Sequence, residues 1–76
     1  MIRMEVVVET IGEVIGGNIP DKSGDLFGQG LDSLGVLKLI TLLEERLGIE
    51  IDDNDLTIEN MSTVNSIFDM VKKYEN

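Results

Sequence analysis

Cysteine, histidine and tryptophan are absent from this chain of 76 residues. Without cysteine there is no disulfide framework and no thiolate nucleophile; without histidine there is no imidazole base, and the common zinc sites go with them. Positive charge is scarce as well: six Lys and Arg stand against fifteen Asp and Glu, for a net charge of −9. Such a field repels nucleic acid and anionic lipid and favours partners with basic surfaces. No apolar run approaches the ~20 residues of a membrane span. The N-terminus also lacks the basic n-region and apolar h-region of a secretion signal. The expectation is a soluble, cytoplasmic monomer with no nucleic-acid and no membrane partner.

What is present is a core-forming fraction of 42% hydrophobic residues, enough to oppose disorder despite the charge. Residues 1–76 read as one small domain, and at this size, with no staples to help, helix packing must hold it together. Helix I is expected over residues 2–16, with Met4, Val7, Val8, Ile11, Val14 and Ile15 at helical spacing and Glu5, Glu9 and Glu13 on one polar stripe. The run Val6 to Val8 has β preference, but the stripe favours the helix. Gly16-Gly17 is the stop. Residues 17–31 hold Pro20 and four glycines among other turn formers, and read as a long loop pinned by Ile19, Leu26, Phe27 and Leu31.

Helix II starts at Asp32 or Ser33 and runs through Leu34, Leu37, Leu39, Ile40, Leu42, Leu43 and Leu47 to Gly48. Its apolar residues wrap more than one face, so it belongs at the centre, with some leucines left for a partner. Asp52 to Leu56 reads as a turn entering one short helical segment up to about Glu59. A last helix begins near Ser62 or Thr63 and carries Val64, Ile67, Phe68 and Val71, with Lys72 and Lys73 complementing its dipole. The predicted fold is all-α: a small up-down bundle of three main helices and one short one, with a long loop between helices I and II.

One segment stands out for chemistry, Gly30-Leu31-Asp32-Ser33-Leu34, where the loop meets an apolar helix. A serine there is exposed at the positive end of a helix, where free N–H groups and the dipole favour an attached phosphate. Read in isolation, Asp32 or Ser33 is simply a helix cap.

The whole chain resembles the phosphopantetheine-binding carrier family, the acyl carrier proteins among them, whose members hold a 4'-phosphopantetheine arm on serine. The resemblance rests on Asp32-Ser33-Leu34 and on the approach Asp25-Leu26-Phe27-Gly28-Gln29-Gly30. It extends through Leu42 to Ile51, Ser62-Thr63-Val64, and Val7, Ile11, Gly12, Glu13, Ile15 and Gly16 in helix I. It implies that Ser33 carries the arm, derived from coenzyme A, and that the arm supplies the thiol this chain lacks. Asp32 would help a phosphopantetheinyl transferase handle metal-bound coenzyme A, with Leu34 beside it.

The same resemblance implies that Leu37, Lys38, Thr41, Glu44 and Glu45 meet partner enzymes with basic docking surfaces, their rim charges mainly raising association rates. Core packing is the alternative for Leu37, and a solvated face the alternative for Glu44 and Glu45. Lys38 departs from the family, since fatty-acid carriers usually show an acidic residue there, and it suggests a dedicated partner set. The implied function is an acyl carrier presenting thioester-bound intermediates to fatty-acid, polyketide or related biosynthetic enzymes. An aminoacyl, peptidyl or D-alanyl carrier loaded by an adenylating enzyme is the alternative. The Phe27 region resembles those carriers, although they more often carry His before the serine and are less acidic. A non-covalent acidic adaptor is a further one.

Other motifs fail. The run Asp52-Asp53-Asn54-Asp55 lacks the Gly and Glu that a calcium loop needs in either register, and Gly28 and Gly30 do not form a phosphate loop with Lys and Ser or Thr. No nucleophile-and-base constellation is visible, so the chain is not expected to be an enzyme and no metal site is assigned.

Overall fold

Apolar residues three and four apart coil residues 4–15 into helix α1, Met4–Ile15, in the computed structural model, which describes residues 1–17 and 21–75. Val7, Thr10 and Ile11 face inward, while Glu5, Glu9 and Glu13 form the exposed stripe. Burial of that face outweighs the β preference of Val6 to Val8. Helix α1 begins two residues later than expected, because Arg3 is extended and the Ile2 N–H donates to the Glu75 carboxylate at 3.1 Å. It ends at Gly16, whose φ of 89° lies in the left-handed region where a side chain is strained. The Gly16 and Gly17 amides both donate to the Gly12 carbonyl, at 2.7 and 3.0 Å.

Three further helices follow: α2 over Ser33–Leu47, α3 over Ile58–Met61 and α4 over Val64–Lys72. Short 3-10 turns occupy Phe27–Gln29 and Asp53–Asp55. No strand occurs among the described residues. The fold is thus the expected all-α bundle of three main helices and one short one, with α1 against α2 and α4, and α3 against α4. Val7 and Ile11 of α1, Leu39 and Leu43 of α2, Met61 of α3, and Val64, Ile67 and Val71 of α4 form a single buried core.

The segment after Asp52 is two elements rather than one. Asp52 accepts the Asn54 N–H at 2.8 Å and closes the 3-10 turn; Thr57 then accepts the Asn60 N–H at 3.1 Å and starts α3. Each cap opens its own turn, which splits the predicted segment. Helix α4 starts on a reciprocal cap: Thr63 Oγ1 accepts the Ser66 N–H at 3.0 Å, and Ser66 Oγ accepts the Thr63 N–H at 3.1 Å.

The long connection between α1 and α2 is strapped across the start of α4. Its Leu26 N–H donates to the Ser62 carbonyl at 2.7 Å, the Lys22 carbonyl accepts the Asn65 N–H at 3.1 Å, and the Asn65 amide reaches Ser23 Oγ at 3.3 Å. Leu26 and Leu31 are buried and Phe27 half-buried, as expected of pins; Ile19 lies outside the described residues. These ties set the height at which α2 begins.

Two ion pairs join elements distant in sequence. Arg46 near the end of α2 donates to Glu13 and, at 3.0 Å, to Thr10 Oγ1, clamping α2 to α1. Asp55 accepts from Lys73 at 2.8 Å and from the Tyr74 hydroxyl. The Lys73 and Tyr74 hydrogen bonds hold the Asp55 carboxyl below its ordinary range, against a smaller opposing effect of desolvation. A carboxylate lowered on folding stabilises the protein above the unfolded-chain value of about 3.9, and that contribution disappears as pH falls through the folded value. Asp55→Asn is therefore expected to melt modestly below the parent protein at pH 7, with the gap closing below the ordinary carboxylate range. Parallel melts against pH test this; a gap that persists in acid would count against the ion pair as its source.

Candidate functional site

The start of α2 is built from a cap and a free hydroxyl. Asp32 is extended, with φ of −122°, and its Oδ1 accepts the Gly35 N–H at 2.7 Å. Asp32 is therefore the cap, and Ser33 the first helical residue, exposed at the positive end of a helix of 15 residues. The Ser33 hydroxyl makes no hydrogen bond among the described residues. Asp32→Ala is expected to lower stability by about 1 kcal/mol, the usual cost of a lost cap. The urea midpoint measures it, and an unchanged midpoint would mean that the cap contributes little.

Gly35 is a site residue that sequence reasoning missed. A Cβ there would lie 3.1 Å from Asp32 Oδ1, 3.1 Å from Leu31 and 3.3 Å from Val14 of α1. Its lack of a side chain lets the first turn of α2 close on its cap and on α1. The signal was available in the glycine inside an otherwise apolar helical start.

Beside Ser33 runs an open groove of about 360 Å³, whose walls are Phe27, Val36 and Leu37 on one side and Leu56, Ile58 and Met61 on the other. It lies between α2 and the α3 region, whereas the space between α2 and α4 is filled by core side chains.

Leu34, Leu37, Lys38, Thr41 and Glu45 recur at helical spacing, and all are exposed, as one stripe running from Ser33 along α2. Leu34 and Leu37 are 73% and 64% exposed, which removes core packing as the account of Leu37. The Thr41 hydroxyl donates to the Leu37 carbonyl at 3.0 Å. Glu44 stands off the stripe: it is half-buried, and its carboxylate accepts the Ile51 N–H at 2.8 Å, closing the turn after α2. Ile58, 77% exposed on the groove rim, was given no role by the sequence reading. One apolar residue in a four-residue helix carries no periodicity to betray which way it faces.

The start of α2 thus sets an exposed serine, unengaged among the described residues, beside an apolar groove. The family model for the phosphopantetheine attachment site matches residues 5–71. A stretch of 43 residues is 49% identical to an acyl carrier protein of Buchnera aphidicola subsp. Baizongia pistaciae (strain Bp), covering 57% of this chain and 53% of that protein. The match thus spans about half the length of that relative. Over 74 residues the chain is 34% identical to a D-alanyl carrier protein of Streptococcus uberis (strain ATCC BAA-854 / 0140J), covering 95% of this chain and 94% of that one.

The chain belongs to the phosphopantetheine-binding carrier family, and its prosthetic group is a covalently held 4'-phosphopantetheine. The start of α2 fits such a group: an exposed hydroxyl, helix N–H groups for its phosphate, and an apolar channel alongside.

Proposed function

We propose that the chain is an acyl carrier, that Ser33 is the attachment residue, and that it serves biosynthetic enzymes without being one. The observation that carries this reading is the free, exposed hydroxyl of Ser33 at the first position of α2 in a chain of this family. When bound, the arm supplies a terminal thiol on which an acyl group is held as a thioester. The residues of the chain do the rest. Asp32 caps α2 and leaves Ser33 unencumbered, the helix N-terminus favours the phosphodiester, and the groove beside Leu37 and Met61 offers apolar cover. The absence of histidine and cysteine supports a non-catalytic role. A phosphopantetheinyl transferase and acyl-loading and processing enzymes are the partners this reading requires, working in the cytoplasm. No described helix is long and apolar enough to cross a membrane.

Intact-mass spectrometry after incubation with coenzyme A and a promiscuous phosphopantetheinyl transferase, followed by peptide mapping, tests the reading. One phosphopantetheinyl group on Ser33 is the expected result. No gain in a folded sample would sink it and favour the acidic adaptor. A second reading changes the cargo to an amino acid, as in a D-alanyl carrier. It is favoured by the full-length match to such a protein and by Lys38 on the exposed stripe. Offering the holo protein to a malonyl transferase and to adenylating enzymes separates the two by which class loads it.

A further inference from the structure

Charge is unevenly spread in this protein, and the first three turns of α2 are an exception to its acidity. From Ser33 to Leu43 the chain contains no Asp or Glu, and its single charge is Lys38, in a molecule carrying −9 overall. Among the described residues, Arg3 pairs with Glu5, Arg46 with Glu13 and Lys73 with Asp55, and Lys72 sits over the Phe68 ring, 5.3 Å from its centroid. Lys38 on α2, like Lys22 in the connection before it, is exposed and makes no ion pair among those residues. It lies one residue from Leu37 and one helical turn from Leu34. With Ile58 across the groove, Leu34 and Leu37 account for three of the four large apolar side chains that the structure leaves exposed. Exposed apolar side chains gathered beside one reactive group mark an interaction surface.

We infer that this face docks a partner surface with apolar pockets for Leu34, Leu37 and Ile58 and a carboxylate opposite Lys38, and that Lys38 turns away the basic surfaces the overall charge would attract. The inference rests on Ser33 being the attachment residue, because only then must every loading enzyme approach this face. Long-range attraction by −9 brings basic proteins near, but at contact distance the one charge that the first three turns of α2 present is positive. Specificity of this kind comes from a repulsive element as much as from an attractive one. Glu44 and Glu45 lie near the end of α2, so a partner covering only the groove and the first turns meets no carboxylate of this helix except the engaged cap of Asp32.

The test uses holo protein with the parent sequence, Lys38→Glu and Lys38→Arg, each first shown by mass to carry the arm. Failure to gain the arm would break the attachment reading and is seen before any docking is measured. Loading by a malonyl transferase with a basic docking surface is then measured at low and high salt, alongside loading by whichever adenylating or acyl-transferring enzyme of a panel loads the parent protein fastest. With the malonyl transferase, Lys38→Glu should gain on the order of tenfold in kcat/KM at low salt, and high salt should erase the gain. With the fastest loader, Lys38→Glu should lose a similar factor while Lys38→Arg keeps the parent rate. The inference is overturned if the malonyl transferase is itself the fastest loader, if it loads parent and Lys38→Glu alike or neither, or if the fastest loader is indifferent to Lys38→Glu.

Discussion

Ser33→Ala leaves the chain at its unmodified mass after exposure to coenzyme A and transferase, and leaves its stability within about 0.5 kcal/mol of the parent. Loss of modification should be complete, because the chain has four serines and the other three are engaged. Ser62 Oγ donates to the Glu59 carbonyl at 2.9 Å, Ser66 Oγ is tied to Asn60 and Thr63, and Ser23 Oγ accepts from Asn65. The fold should not notice, because Asp32 does the capping and alanine is a better helix former than serine. Intact mass and a melt on one sample measure both halves. A retained mass gain would move the arm to another residue, and a large loss of stability would mean that the hydroxyl has a structural partner.

The second large effect lies far from the arm in sequence. Leu26 is fully buried, its N–H donates to the Ser62 carbonyl, and its own carbonyl accepts the Gln29 and Leu31 amides, both at 3.0 Å. One residue thus joins the long connection, the 3-10 turn and the junction of α3 with α4. Leu26→Ala removes buried methyl groups at a cost of about 2–5 kcal/mol. A single core of this size supplies only about 3–5 kcal/mol in total. The variant is therefore expected to lose most or all of its cooperative urea transition. Leu34→Ala, which trims an exposed leucine, should stay within about 0.5 kcal/mol of the parent. Circular dichroism against urea compares the two; near-parent stability of Leu26→Ala would show that the loop does not depend on that pin.

Helix positions were legible because they depend on neighbours in the chain. The three-and-four spacing of α1, the stops at Gly16 and Gly48, and the caps at Asp32 and Thr63 are local, and each lies where the pattern put it, to within two residues. The attachment motif was legible for a similar reason, being a contiguous tripeptide at a helix start. Less visible was the division of labour within it. Both Asp32 and Ser33 can cap, and only the backbone geometry assigns the hydrogen bond to Asp32. The leucines of α2 posed the same difficulty, since a helix apolar on several faces does not say which leucine is covered.

By itself the sequence determined an acidic, all-helical bundle with no thiol or imidazole chemistry of its own, together with the family pattern centred on Ser33. Those properties follow from residue types and short-range spacing. Tertiary structure alone decided that Leu37 is exposed while Leu39 is buried, that Glu44 holds the Ile51 amide, and that Arg46 clamps Glu13 across 33 positions. It also decided that Ile58 and Leu37 line one groove beside Ser33. Each depends on how segments pack against one another, and the orientation in which they pack, rather than any local preference, sets which side chains are covered and which are brought together.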